Sequence, residues 1–395
     1  MSEQTPAFTQ LPNLASRALA ASVVHANDEL FAEKENLIKP EPATFVAGEF
    51  GHKGKTYDGW ETRRRREPGH DHAIVRLGVP GVVHGVVVDT SWFTGNYPPH
   101  VSVEATSAAG YPSPAELERA EWTTLVPKSR IGGDRENWFD VDDDRRFTHV
   151  RLSIHPDGGV ARFRVYGVPV PDPRLLTGTV DLAALEHGAG VVACSDMFYG
   201  SPVNLLLPGR AANMGEGWEN ARRRDDSNDF VTVRLAGRGR VRRVEVDTSW
   251  FVGNAPGWVS LRGLDAGPFE DGSPEPDLAA VPADSSVELV PRTPLQPDTR
   301  HFFRVAGTAP VTHIRMDVYP DGGVARLRVH GELEPAALEA ATLRWLDALP
   351  EPHAVQVLAG DAGVSPAEAE RLAGARPFAG GGVLPEPVVR RLLDG

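Results

Sequence analysis

Apolar and polar positions alternate with a period of two through short stretches bounded by glycine and proline, a pattern that predicts strands over most of the chain. Residues 73–77 (Ala-Ile-Val-Arg-Leu) and 85–89 (Gly-Val-Val-Val-Asp) are compact and β-branched, as strands favour. Residues 150–154 (Val-Arg-Leu-Ser-Ile) and 162–166 (Arg-Phe-Arg-Val-Tyr) alternate on either side of Pro156-Asp157-Gly158-Gly159. Proline pre-sets a turn and glycine accepts positive φ, so this pair predicts a β-hairpin. Residues 314–318 and 326–329 repeat the pattern. The period changes only near the end. Ala336, Ala337, Leu338, Leu343 and Leu346 fall at helical spacing within 333–349, and Ser365-Pro366 reads as a cap followed by a first-turn proline.

The alternation recurs because the chain repeats itself. Asp89-Thr90-Ser91-Trp92-Phe93-Thr94-Gly95-Asn96-Tyr97-Pro98 returns as Asp247-Thr248-Ser249-Trp250-Phe251-Val252-Gly253-Asn254-Ala255-Pro256, identical at eight of ten positions. Pro156 to Arg162 returns unchanged as Pro320 to Arg326, and Gly59-Trp60-Glu61 returns as Gly217-Trp218-Glu219. Blocks in the same order define an internal duplication. Many short strands in each copy predict an all-β fold of two tandem jelly-roll or β-sandwich domains. The expected organisation is an N-terminal segment 1–19, repeat 1 over 20–170, a linker 171–187, repeat 2 over 188–331 and a helical C-terminal extension 332–395.

Composition narrows the setting. A length of 395 residues exceeds one ordinary core. The absence of a long apolar run predicts a chain that does not span a membrane. Met1 to Gln10 lacks the basic and apolar regions of a secretory signal, and the single Cys194 suits a reducing compartment, so a cytoplasmic location is expected. A net charge of −13 disfavours nucleic acid as a partner. Five of the 41 cations are lysine, so arginine dominates. Coding bias accounts for much of that, but guanidinium forks also suit carboxylate and ureido groups.

The densest polar block is Asp58-Gly59-Trp60-Glu61-Thr62-Arg63-Arg64-Arg65-Arg66, followed by Gly69-His70-Asp71-His72. If 60–66 is extended, Glu61, Arg63 and Arg65 share one face, and Trp60, Thr62, Arg64 and Arg66 the other. An isolated arginine run is a solvated edge. Here copy two keeps Arg222-Arg223-Arg224 after its own Gly-Trp-Glu, with Ala221 in place of Arg63. His70 and His72 would face one side of a strand and could hold a metal, but an acid–base or hydrogen-bonding role is preferred, because copy two has Asn228 and Phe230 there. No HExxH, P-loop, GxSxG or Cys–His cluster is present, so neither a metal nor a cofactor is expected. Trp92, Phe93, Trp250 and Phe251 are expected in the core. Asn96 is either a turn residue or a substrate ligand.

Asp58-Gly-Trp-Glu-Thr-Arg-Arg, Pro68-Gly-His-Asp, Ile74-Val-Arg-Leu-Gly and Asp89-Thr-Ser-Trp-Phe-Thr-Gly-Asn together resemble the allantoicase family, as do Asn27-Asp-Glu-Leu-Phe-Ala and Asn204-Leu-Leu-Leu-Pro-Gly-Arg. The resemblance spans about 20–331 and includes the duplication itself. It implies galactose-binding-like jelly rolls, a homo-oligomer, and hydrolysis of allantoate to ureidoglycolate and urea in purine degradation. It departs from the family at His72, where tryptophan is expected, and at Glu216 and Asn220, which puts the second copy's site in question. Allantoate carries a carboxylate and two ureido groups on one carbon. A guanidinium fork would hold the carboxylate, a base would activate water, and the leaving nitrogen would need a proton. The candidate catalytic residues are therefore Glu61 or Asp58 for the water and His70 or Asp71 for the leaving group. The candidate substrate-binding residues are Trp60, Arg64, Arg66 and Asn96, with Glu219 and Arg222 from copy two.

Two rivals stand beside this reading: a hydrolase or lyase acting on another ureido acid such as ureidoglycolate, and a non-catalytic jelly roll that binds carbohydrate or another small molecule. In the extension, Leu346-Asp-Ala-Leu-Pro and Ala375-Arg-Pro-Phe-Ala are similar to the opening segment of ureidoimidazoline decarboxylases, without that family's catalytic region.

Overall fold

A computed structural model describes residues 5–46, 48, 50–51, 54–55, 57–267, 286–307, 309–379 and 384–394. The chain forms two compact units, Met1–Val170 with Leu346–Arg376, and Pro171–Trp345 with Pro377–Gly395.

The strands used below from the first unit are β1 (Ser22–Ala26), β2 (Trp60–Glu61), β3 (Asp71–Asp89), β4 (His100–Thr106), β5 (Thr123–Arg130), β6 (Glu136–Asp140), β7 (Arg146–His155), β8 (Gly159–Val160) and β9 (Arg162–Pro169). The two valine-rich stretches predicted as separate strands are one strand, β3. Its first half lies between β1 and β7, and its second half between β6 and β9. Val86, Val87 and Val88 are all buried, so both faces of the strand are covered where its neighbours change. Gly81 allows the change of partners. A Cβ there would meet the Val168 carbonyl at 2.3 Å, and Gly239 holds the matching position in copy two.

The predicted hairpin between 150–154 and 162–166 does not form. β7 and β9 pair with different halves of β3 and not with each other. The physical reason lies in the connecting segment, whose polar groups are claimed elsewhere. Gly159 N–H donates to the Asn96 carbonyl (2.8 Å), Gly158 N–H donates to Thr62 Oγ1 (3.3 Å), and Asp157 accepts from Arg65 N–H (2.8 Å). β8 then pairs with β2. Gly158 has φ +143, and a Cβ there would meet the Asn96 carbonyl at 2.7 Å, so its glycine serves a close backbone approach.

The second unit repeats the plan with β10 (Val180–Asp181), β11 (Gly190–Cys194), β12 (Trp218–Glu219), β13 (Asp229–Asp247), β14 (Trp258–Leu264), β15 (Ser286–Pro294), β16 (Arg300–Arg304), β17 (Val311–Tyr319), β18 (Gly323–Val324) and β19 (Arg326–Leu333). β13 is shared in the same way, between β11 and β17 and then between β16 and β19. Helix follows where the sequence period changes, in α2 (Pro335–Ala348), α3 (Glu351–Gly360), α4 (Pro366–Ala373) and α5 (Glu386–Asp394), after α1 (Pro114–Glu118) within the first unit. Ser365 caps α4 by accepting from Glu368 N–H. Among the described residues no helix is long and apolar enough to cross a membrane.

Candidate active site

The site of copy one is built on β2. Trp60 is fully buried, and its indole donates to the Asp28 carbonyl at 2.8 Å. It therefore anchors the strand and offers no face to a substrate, which corrects its placement among the substrate-binding residues. The next residue points the other way. Glu61 is half-buried, its backbone pairs with Ala32 and Gly159, and its Oε1 accepts from Asn96 Nδ2 at 2.6 Å. Burial pushes the Glu61 carboxyl above its ordinary value, and the Asn96 hydrogen bond only partly offsets this. Its second oxygen accepts nothing from the described residues. Copy two repeats the clasp, with Asn254 Nδ2 donating to Glu219 Oε1 at 2.6 Å beside a fully buried Trp218.

Beyond Glu61 the chain leaves the strand, so the expected alternation over 60–66 stops at Thr62. Thr62 is buried, with its hydroxyl accepting from Gly158. The four arginines then divide by partner. Arg63 pairs with Asp28, and Arg65 pairs with the buried Asp71 at 2.6 Å, while Arg64 and Arg66 are exposed with no partner among the described residues. Copy two sorts its run identically. Arg223 pairs with Asp229 at 2.6 Å, and Arg222 and Arg224 stay exposed without a partner among the described residues.

Two acids proposed for catalysis are structural. Burial would raise the Asp58 carboxyl, but Arg162, the Thr44 N–H and Lys39 outweigh it and hold the group at about 2, too weak a base to activate water. Its partner Arg162 is itself buried and also donates to the Asp58 and Glu41 carbonyls. Asp71 is only 2% exposed, with Oδ1 accepting from Arg65 and Asn27 and Oδ2 buried, so it is closed off from a leaving group. His70 packs its ring on His155, 4.7 Å between centroids, and burial followed by the charge of His72 lowers its pKa. No contact joins His70 to Glu61 among the described residues.

Two features escaped the sequence. Phe93 and Phe251 are core residues as expected, but Trp92 and Trp250 are about half exposed and sit at φ +69 and +74. Each is fixed by its backbone N–H on Asp134 or Asp298 and by its indole on the Ala43 or Ala211 carbonyl. A bulky residue held left-handed in both copies marks a constrained position. The second feature is a cavity of about 490 Å³ in the second unit, where Arg210, Arg243, Arg300, Arg326 and Arg328 converge with Glu245 and Asp247. Burial, then the Arg328 charge, lowers Arg326 to about 10 against the pull of Glu216 and Asp247. In copy one Gly85 stands where copy two has Arg243, and Phe8 packs on it, because a Cβ at Gly85 would meet the Phe8 ring at 2.4 Å. The sequence signal for this cavity is a difference between the copies, Gly85 against Arg243, which the repeated blocks do not contain.

Two jelly rolls of common origin, each presenting a half-buried carboxylate clasped by asparagine and followed in sequence by arginines without a partner among the described residues, define a duplicated β-sandwich protein. The allantoicase repeat model matches residues 12–170 and 180–334. A probable allantoicase of Nocardia farcinica is 56% identical over 330 residues, covering 82% of this chain and 95% of the relative. The allantoicase of Dictyostelium discoideum is 42% identical over 331 residues, covering 82% and 88%. The crystal structure of allantoicase from Saccharomyces cerevisiae superposes with a TM-score of 0.69 at 33% identity, covering 82% of this chain and 93% of that one. The chain belongs to the allantoicase family.

Proposed function

We infer that the chain hydrolyses allantoate to ureidoglycolate and urea, with Glu61 as the base. Family membership supports the substrate, and the Glu61–Asn96 clasp, with one carboxylate oxygen left open, is the observation that carries the site. Glu61 takes a proton from water, whose oxygen bonds to the carbon bearing the carboxylate. The bond from that carbon to one ureido nitrogen breaks, and the nitrogen leaves as urea after receiving the proton held on Glu61. A carboxyl raised by burial suits both halves of that transfer. Arg64 or Arg66, neither engaged by a described residue, holds the substrate carboxylate. The same reading includes a homo-oligomer acting in the cytoplasm.

A second reading places the substrate in the arginine-lined cavity of copy two, favoured by its volume and by Arg243, which is exposed and has no hydrogen-bond or ion-pair partner among the described residues. Urea release from allantoate, with ureidoglycolate supplied in parallel, tests the function. Urea from allantoate is the expected result. Urea from ureidoglycolate alone transfers the reading to that acid, and silence with both favours a binding module. Loss of turnover in Arg243→Ala with retention in Arg64→Ala would move the site to the cavity.

A further inference from the structure

The sequence pairs His70 with His72, but the fold gives His72 different company. His25 on β1 and His72 on β3 lie on neighbouring strands, with ring centroids 5.6 Å apart. Glu118, the last residue of α1, reaches over both. Its Oε1 is 2.6 Å from His72 Nε2 and 3.6 Å from His25 Nε2. One ligand atom from each of the three residues lies within 4.8 Å of the others. We propose that His25, His72 and Glu118 form a binding site for a divalent transition metal of the zinc class, with the remaining coordination position open to water.

The donor set supports this assignment. Two imidazole nitrogens and one carboxylate oxygen are hard-to-intermediate ligands that favour zinc and its neighbours over calcium or magnesium, and three protein ligands plus water complete a tetrahedron. Zinc-bound nitrogen and oxygen atoms sit roughly 3.3 Å apart at bond lengths of about 2.0–2.1 Å, and the two observed spacings of 2.6 and 3.6 Å bracket that value. All three side chains are partly exposed, at 16, 32 and 39%, so an ion can enter. Arg151, whose charge reaches Glu118, is neutralised by Glu104 at 2.7 Å and lies over the Trp122 ring.

The duplication supplies an internal comparison. Copy two has Ala193 at the position of His25 and Phe230 at that of His72, by equivalent strand register. A histidine pair retained for packing alone would not need a carboxylate brought to both nitrogens. The ion would act as a clip, tying the connection that carries α1 to β1 and β3. The assignment makes no use of Glu61 and stands apart from the proposed hydrolysis.

The test strips the full chain with chelator, removes the chelator by dialysis, and titrates with Co2+ as a spectroscopic stand-in for zinc. The visible d–d absorption and the bound stoichiometry are read, with Zn2+ as competitor. The expected result is one equivalent of Co2+ displaced by Zn2+, with affinity falling at least roughly tenfold in His25→Ala and in Glu118→Gln, since even a supporting partner costs that much. Metal should also raise the melting temperature of the wild type but not of Glu118→Gln, because an ion that binds only the native state stabilises it. No stoichiometric Co2+, or binding that is unchanged in both variants, overturns the site. The Glu118→Gln chain keeps the volume of the side chain, so its folding is not at issue.

Discussion

Asn96 and Glu61 are 35 residues apart in the chain and meet at 2.6 Å, amide donating to carboxylate. Asn254 and Glu219 make the same contact in the second copy at the same length. An asparagine cannot supply or take the proton that moves in hydrolysis, so the clasp orients the carboxylate and only partly offsets the rise that burial imposes on it. Because burial raises Glu61 above the ordinary carboxyl value, and a base must be ionised to work, the acid limb of kcat/KM is expected above the range of a solvated glutamate. Asn96→Asp places a second carboxylate on the first and should move that limb further up, because like charges at hydrogen-bond distance cannot both ionise easily. A pH–rate profile of the two proteins checks this. An unmoved limb removes Glu61 as the titrating base.

Arg64 stands between Arg63 and Arg65, both tied to acids, and has no partner of its own among the described residues. Its truncation to alanine is expected to raise KM for allantoate by roughly 10- to 100-fold, the cost of a lost charge-assisted hydrogen bond or two at about 1.5–3 kcal/mol. Stability should barely change, since the side chain is exposed and has no partner among the described residues. Arg64→Lys should recover only part, because a point charge cannot make a bidentate fork. Steady-state kinetics beside a thermal melt separates the two effects. If KM is unchanged in Arg64→Ala, the carboxylate is held elsewhere, and Arg66 is next to be tested.

Arg65, one residue on, should behave in the opposite way. It closes a salt bridge on Asp71, which is 2% exposed, and its backbone N–H is held by Asp157. Arg65→Ala leaves that carboxylate with Asn27 as its remaining side-chain donor. Breaking a buried pair costs about 3–5 kcal/mol, and because Arg65 is itself 29% exposed a loss of about 2–3 kcal/mol is expected. Guanidinium unfolding measures it. Adding Asp71→Asn should restore part of the loss by removing the stranded charge, and a double variant no better than the single would refute the electrostatic account.

The difference between those two arginines also marks how far the sequence can be read. Period-two alternation and the repeated blocks make the all-β duplication legible, and the change of period after 332 makes the helices legible. Partner choice is not local. Arg63 finds Asp28 from 35 positions away, the Arg65 backbone finds Asp157 from 92, and His72 finds Glu118 from 46. No periodicity encodes such pairs, so four arginines look alike until the chain folds. The failed hairpin has the same origin. Pro156 to Gly159 resembles a tight turn locally, but its N–H groups are spent on Asn96 and Thr62, and its flanking strands belong to different halves of β3.

His149 provides a pH dependence of stability distinct from that of catalysis. It is 2% exposed, and its Nδ1 meets Thr148 Oγ1 at 2.8 Å. Burial, and then the Arg76 charge, lowers it from 6.5 to about 4. A depressed folded-state value means that the unfolded chain binds the extra proton first. The stabilisation is therefore complete above pH 6.5 and is lost as pH falls toward 4. His149→Gln removes the titration and can keep a hydrogen bond to Thr148, so its stability should fall less steeply across that window. His155 is lowered in the same direction and to about 4, so part of the slope should persist. Unfolding free energy at a series of pH values reads the difference, and parallel curves would show that His149 is not the group responsible.

Whether one copy or both turn over can be settled with a pair of isosteric variants. Glu61→Gln and Glu219→Gln each preserve side-chain volume and leave an oxygen to accept from Asn96 or Asn254, so both proteins should fold with near wild-type melting temperatures. General-base catalysis contributes roughly 10²- to 10⁴-fold. If Glu61 alone is the base, Glu61→Gln should lose about that factor in kcat while Glu219→Gln retains the wild-type rate. If the copies act independently and equally, each single variant should keep about half the activity, and only the double variant should lose the full factor. The first outcome is expected. Glu61 and Thr62 are followed by four consecutive arginines, whereas copy two shortens the run to three with Ala221 and replaces Asp58 with Glu216, whose carboxylate stands 3.8 Å from Arg326 where the Asp58 carboxylate sits 2.7 Å from Arg162. Arg326 Nε is also buried without a partner among the described residues, where the matching Arg162 Nε donates to the Glu41 carbonyl. Urea release by the three variants, run beside the wild type at saturating allantoate, distinguishes one working site from two.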